Sequence, residues 1–254
     1  MSKTRLDKLI FERGLAPSRE RAQALVLAGR VLVNEQKIGK PGTAVDEKST
    51  LRLLGDDLRY VSRGGLKLEA ALAHWKIDIA RRVCADIGTS TGGFTDCLLQ
   101  HGAARVIAID TGYGQIDAKL RSDPRVRLLE RTNARYLTPE QIGERVECLT
   151  MDVSFISATL VLPAVVNSIR SAAGAPSELE AVVLVKPQFE SGREHVGKGG
   201  IVREGAAQQA AIDKVEAAMR DLRFRNIEVI DSPILGSEGN KEFLLHGVAD
   251  LKHG

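Results

Sequence analysis

The stretch "ADIGTSTGGFTD", residues 85–96, decides how this chain is read. It carries the apolar run "VCADIG" (83–88) into a glycine-rich turn, and a second apolar run, "VIAID" (106–110), follows. Five further runs of the same kind come later: "VRLLER", "ECLTMDVSFI", "AVVLVKP", "IEVID" and "EFLLHGV". Such β-branched runs alternate with helical stretches, which predicts a largely parallel sheet covered on both faces. The fold class is therefore α/β. Ligands of these sheets bind beyond the carboxyl ends of the strands, near the point where strand order reverses, and the opening turn belongs there.

Three ligands compete for the turn. A nicotinamide dinucleotide asks for G-x-G-x-x-G, but Gly88, Gly92 and Gly93 are spaced G-x-x-x-G-G. A triphosphate loop asks for a lysine after its second glycine, and Phe94, which stands there, cannot neutralise a phosphate. A ligand with an amino-acid end needs backbone N–H groups near a helix start for its carboxylate, and an acid for its ammonium. Asp86 and the turn from Gly88 to Gly93 meet that need. Asp110, 24 residues beyond Asp86, is placed for the two hydroxyls of a ribose. This combination describes S-adenosylmethionine; the alternative is that the glycines only permit a tight turn and Asp110 caps the next element.

Composition narrows the rest. In 254 residues, 43% hydrophobic and 27% charged, there is apolar material for a full core, and the length suits two domains. No apolar run approaches the roughly 18 residues of a membrane helix, and the start "MSKTRLDKLIFERG" lacks the apolar segment of a signal peptide. Cys84, Cys97 and Cys148 fit neither a disulfide framework nor a metal knuckle, so they are read as reduced, buried thiols of a cytoplasmic chain. The net charge of +3 is uneven: residues 1–60 hold 12 Lys+Arg against 8 Asp+Glu, and the remainder 24 against 25. A positive excess in the small N-terminal part points to a polyanion partner, or to lysines that are simply solvated.

Pattern in that part is informative. Leu6, Leu9 and Ile10 share a helical face with Gly14 as stop; a second helix follows, with Ser18 as cap, an Ala22, Leu25 and Val26 stripe and Gly29 at its end. A short strand and a basic hairpin come next. The "SRERAQALVLAGRVLVN" portion resembles the RNA-binding module of ribosomal small-subunit protein four, over residues 4 to about 54. That resemblance implies RNA, with Arg5, Arg19, Arg21 and Arg30 on phosphates.

A wider resemblance rests on "YVSRGGLKLEAAL", "DIGTSTGGFTDCLLQHGA", "AIDTGYGQ", "LERTNARYLTP", "MDVSFIS", "LVKPQFE", "GKGGIVRE" and "SPILGSEGNKEFLLH". Together these are similar to the TlyA family of ribosomal RNA 2′-O-methyltransferases, historically labelled haemolysins. The likeness implies an RNA-binding domain over 1–58, a linker over 59–62 and an FtsJ-type, Rossmann-like methyltransferase domain over 63–254. It implies S-adenosylmethionine as cofactor, no metal, and ribosomal RNA or a ribosomal subunit as partner, with compact chain ends favouring the large subunit. The family's catalytic set falls on Lys67, Asp152, Lys186 and Glu242. The expected cofactor contacts are Asp86, Gly88, Ser90, Thr91, Gly92, Gly93, Phe94, Asp110, Asn133 and Asp152, and Arg63 and Lys67 join the RNA contacts.

Methyl transfer to a ribose hydroxyl needs a deprotonated oxygen in line with the sulfonium methyl. A lysine acts as base only where a second cation or desolvation weakens its hold on the proton. Lys186 is assigned as base or oxyanion stabiliser, Asp152 and Glu242 as carboxylates orienting the two lysines, and Lys67 as tuner and substrate anchor. Two other functions stay in view. A non-catalytic rRNA-binding or assembly factor would lack methyl transfer, and a membrane-active haemolysin would need an amphipathic or spanning segment, of which the sequence has none.

Overall fold

The computed structural model describes residues 3–16, 18–54, 59–197, 199–236 and 239–252, the side chain of Arg193 excepted. The chain divides into two compact units, Met1–Arg59 and Tyr60–Gly254.

The smaller unit runs β1 (Lys3–Arg5), α1 (Leu6–Glu12), α2 (Arg19–Leu27), β2 (Val31–Val33), β3 (Gln36–Lys37), β4 (Ala44–Asp46) and β5 (Leu51–Leu53). Its two helices pack the stripes seen in the sequence: Leu6, Leu9 and Ile10 meet Ala22, Leu25 and Val26 in one core with Val31 and Val33. The Ser18 hydroxyl accepts from the Arg21 N–H at 3.1 Å, closing the first turn of α2. Gly14 and Gly29 end the helices at φ +68° and +65°, a conformation that costs other residues about 1 kcal/mol.

The larger unit continues with α3 (Gly64–Trp75), β6 (Val83–Ile87), α4 (Gly93–Gln100), β7 (Arg105–Ile109), α5 (Ala118–Arg121), β8 (Val126–Leu129), α6 (Pro139–Ile142), β9 (Cys148–Met151), α7 (Leu162–Ser171), β10 (Glu178–Val185), α8 (Pro187–Glu190), α9 (Gly205–Asp221), β11 (Phe224–Asp231) and β12 (Phe243–Asp250). The seven apolar runs become one seven-stranded sheet in the order β11-β12-β10-β9-β6-β7-β8. Strands β6 to β10 pair in parallel, and β12 lies antiparallel between β10 and β11. The central strands β6, β7, β9 and β10 are buried on both faces, which is why their runs do not alternate, whereas the edge strands β8 and β11 are partly exposed. Val165, Ile169, Val215 and Met219 cover one face; Leu68, Leu72, Leu98 and Leu99 cover the other. Strand order reverses between β6 and β9, whose carboxyl ends carry Gly88 and Asp152.

Two residues of the expected linker are built into this unit: Tyr60 is buried against Gly65, and the Val61 N–H donates to Asp96 Oδ2 at 2.8 Å. Leu58, where the expected first domain ends, lies outside the described residues. Trp75 stacks on His246 of β12 with centroids 5.0 Å apart and donates its N–H to Glu228, so it fastens α3 to the sheet. Cys84, Cys97 and Cys148 are buried free thiols. Among the described residues no helix is long and apolar enough to cross a membrane.

Candidate active site

The turn after β6 is shaped by its neighbours. Gly88 has φ +83°, and a Cβ on it would fall 2.8 Å from the Asp152 carbonyl carbon and closer still to its oxygen. Glycine here lets the ends of β6 and β9 touch. Gly92, at φ +97°, would collide with Leu120, and Gly93 would stand 2.9 Å from the Gly65 N–H. These two glycines serve the packing of α4 against α5 and α3.

A cavity of about 570 Å³ opens along the turn. Of the residues expected to hold the cofactor, Gly88, Ser90, Asp110, Asn133 and Asp152 line it. Asp110 is fixed by two backbone donors, the Ser90 and Gly112 N–H groups, each at 2.7 Å. Ile109, Ala134 and Val161 supply apolar wall. This is a pocket of cofactor size, with an apolar wall, the oriented Asp110 carboxylate and Asp152 at its edge with the second cavity, and it suits a nucleoside.

The structure revises the rest of the set. Thr91, Gly93 and Phe94 line a second, smaller cavity, and Gly92 lines neither. Asp86 is 0% exposed, and its carboxylate accepts from Thr95 Oγ1 at 2.6 Å and Thr150 Oγ1 at 3.0 Å. It is sealed beneath the turn, away from the cavity surface. Several of the turn's N–H groups are committed: those of Gly88 and Thr89 donate to the Ile109 carbonyl and that of Gly92 to the Thr89 carbonyl. Local sequence could not show the first two of these bonds, because their acceptor, the Ile109 carbonyl, belongs to β7.

Burial pushes the Asp86 carboxyl up to about 7, against the hydrogen bonds from Thr95 and Thr150. The folded chain then holds a proton that the unfolded chain has released, so stability falls as pH rises between about 4 and 7, by roughly 1.4 kcal/mol per unit of separation. Asp86→Asn should flatten that slope. Urea unfolding across this range checks it, and an equally steep slope in the variant would assign the dependence elsewhere.

The second cavity, about 270 Å³, shares Gly88, Ser90, Asp152 and Ser154 with the first. Lys67, Asp152, Lys186 and Glu242 all line it, from the first turn of α3 and from the ends of β9, β10 and the approach to β12. They form two ion pairs: Lys67 Nζ lies 2.5 Å from Glu242 Oε2, and Lys186 Nζ lies 2.5 Å from Asp152 Oδ1. Glu242 is 3% exposed, and the bare Cα of Gly236 leaves room for its carboxylate. Each cation has its own anion: Glu242 faces Lys67 and Asp152 faces Lys186.

Three functional candidates escaped the sequence. Ser154 accepts from Lys186 Nζ at 2.8 Å. Phe155 is 92% exposed with φ +64°, its ring 5.4 Å from that of Phe189. Asn240, buried, accepts from the Val202 N–H and donates to the Gly200 carbonyl, tying the segment after α8 to the residues before Glu242. The first two stand in the quoted "MDVSFIS", beside Asp152, but nothing in its periodicity marks their direction.

Of the arginines expected on RNA, Arg5 and Arg19 both reach the buried Asp7, which the Arg5 hydrogen bonds hold well below the usual carboxylate range. The Arg30 Nε–H donates to the Leu54 carbonyl. Arg63 lines the smaller cavity at the start of α3.

The chain matches the FtsJ-like methyltransferase family over residues 60–248 and the S4 domain over residues 4–51. It is 45% identical over 244 residues to the 16S/23S rRNA (cytidine-2′-O)-methyltransferase TlyA of Mycobacterium tuberculosis, spanning 96% of this chain and 89% of that protein. The chain belongs to the TlyA family of FtsJ-like methyltransferases. TlyA-family likeness extends to YqxC of Bacillus subtilis, which bears an rRNA methyltransferase name, at 46% identity over 96% of this chain and 85% of that one. A solved structure from Streptococcus thermophilus with a haemolysin name is 43% identical, with a TM-score of 0.74 over 98% of this chain and 90% of the other.

Proposed function

We propose that this chain is an S-adenosylmethionine-dependent methyltransferase that modifies the 2′-hydroxyl of a cytidine in ribosomal RNA. The observation that carries the reading is the shared wall of the two cavities: a cofactor-sized pocket opens at Asp152 and Ser154 onto a second pocket walled by two lysine–carboxylate pairs.

S-adenosylmethionine supplies an electrophilic methyl group on a sulfonium. Asp110 holds its ribose, Asn133 and the apolar wall flank its base, and Asp152 faces its charged end. On the other side, Lys186 takes the proton of the 2′-hydroxyl or steadies the oxyanion, while Lys67, fixed by Glu242, anchors the ribose and its phosphate with Arg63. Phe155 offers an exposed ring at the mouth for a neighbouring base.

The deciding experiment incubates the chain with labelled S-adenosylmethionine and large subunits, small subunits or naked rRNA. Label on a cytidine ribose, with the large subunit preferred, is the expected result; failure to label any of the three rejects the reading.

Asp110→Ala should weaken cofactor binding by ~1.5–3 kcal/mol, the worth of hydrogen bonds to a charged group. Calorimetry measures it, and parental affinity would make Asp110 a loop anchor only. On the smaller unit, the Arg21 guanidinium has no protein partner among the described residues and is the arginine most available to phosphate. Arg21→Ala should reduce the salt dependence of rRNA binding by ~0.9 in log–log slope. An unchanged slope would remove Arg21 from the RNA surface.

A further inference from the structure

We propose that Ser154 positions Lys186 and serves as the outlet for its proton, an inference that rests on the methyl-transfer reading. Lys186 follows β10 directly and precedes Pro187, so its backbone is set by the strand and the start of α8, but four methylenes separate that backbone from Nζ. One ion pair leaves such a stem free to swing about its partner. Two contacts define a direction. An ammonium has three N–H donors; one faces Asp152 Oδ1 at 2.5 Å, one goes to Ser154 Oγ at 2.8 Å, and the third remains for the cavity that both residues line.

The backbone around Ser154 is held unusually firmly. Phe155 sits at φ +64°, a conformation that costs a bulky residue of order 1–3 kcal/mol and persists only where the surroundings impose it. They do so from both ends. The Asp152 N–H donates to the Ile87 carbonyl at 2.8 Å, and, five and six residues on, the buried Glu190 accepts from the Ser157 hydroxyl and from the Ala158 N–H at 2.6 Å. Glu190 is braced in turn by Lys214 Nζ at 3.4 Å. The turn between these anchors delivers the Ser154 hydroxyl to Lys186 and leaves Ser154 itself exposed.

Exposure matters for turnover. Transfer starts from the neutral amine, whose lone pair then stands where the ammonium's third N–H faces the cavity; as the 2′-oxygen bonds to the methyl carbon and the sulfur keeps the electron pair of the broken S–C bond, the hydroxyl proton arrives on that lone pair and forms the ammonium. It must leave before the next cycle. The Ser154 oxygen accepts that proton while its own passes to water, so one proton enters and one leaves and the serine is regenerated.

The test compares Ser154→Ala and Ser154→Thr with the parent. With a pre-bound rRNA substrate, Ser154→Ala should lower the single-turnover rate roughly 10- to 100-fold, the scale of a misplaced reacting group, while cofactor affinity changes by no more than about threefold. Ser154→Thr keeps the hydroxyl and should restore most of the rate. A second readout needs no RNA: the rate at which an acylating reagent labels the Lys186 amine, followed by mass spectrometry, should rise several-fold in Ser154→Ala and return in Ser154→Thr. Parental rate and parental labelling in Ser154→Ala would overturn the proposal, as would a Thr variant as impaired as Ala in both. If the parent labels no rRNA, the functional reading falls, and the Lys186 labelling still decides whether Ser154 fixes that side chain.

Discussion

Lys186→Ala should reduce the single-turnover rate of methyl transfer by roughly 10²–10⁴-fold, the usual contribution of a positioned acid or base, and leave the affinities for cofactor and rRNA near parental. The loss should be confined to the transition state, since the proposed role of Lys186 is to act on the reacting oxygen. The variant should also be less stable. Asp152 Oδ1 is buried and has no hydrogen-bond donor beyond its ion pair with Lys186, so truncation strands it at a cost of about 1–3 kcal/mol. Rates are therefore compared below the variant's unfolding transition. Lys186→Arg separates the two roles that the geometry permits. A guanidinium keeps its protons, so it stabilises negative charge but accepts no hydroxyl proton. If Lys186→Arg retains most of the parental single-turnover rate, Lys186 is an oxyanion clamp; an inactive Arg variant that still binds both partners makes it the base.

Gly88→Ala is expected to be nearly as damaging by a different route. The added Cβ meets backbone: it falls 2.8 Å from the Asp152 carbonyl carbon and 3.2 Å from the Val153 Cα, in a residue already at φ +83°. Neither side is a flexible side chain that can step aside, so the ends of β6 and β9 must part. Strain and overpacking together should cost about 2–4 kcal/mol of stability, and displacement of Asp152 should abolish measurable cofactor binding. Gly14→Ala is the comparison. Gly14 has φ +68° but nothing within 4 Å of its Cβ position, so only the conformational cost of about 1 kcal/mol applies. Chemical denaturation of the pair checks the difference, and parental calorimetry for Gly88→Ala would show that the strand ends are not held by that contact.

The two glycines show where local reading stops. Both mark a left-handed turn, and pattern alone treats them alike. What distinguishes them is a carbonyl 64 residues away in sequence. The same limit explains Asp86. An acid ending the first strand of a Rossmann-like sheet looks like a ligand contact, and it becomes a sealed, protonatable group because β9 brings Thr150 alongside and α4 folds Thr95 over it. Phe94 lacks the charge to bind phosphate, which its residue type alone shows, and its place beside the second cavity depends on α3 lying against α4.

By itself the sequence determined the two-part organisation, the seven apolar runs that become the sheet, the helix stops at Gly14 and Gly29, and the four charged residues that line the smaller cavity. These follow from short-range physics: periodicity sets burial, and glycine sets backbone sign. Only the tertiary structure decided who partners whom. Lys67 and Glu242 are 175 residues apart, and they meet because β12 inserts antiparallel beside β10 while α3 packs across the sheet. Ser154 meets Lys186 while Phe155 stays exposed at a single left-handed residue in the turn anchored at Ile87 of β6 and at Glu190. A side chain's direction is fixed by strand order and by the anchors on either side of its turn. Those are properties of the assembled sheet, and no window of sequence contains them.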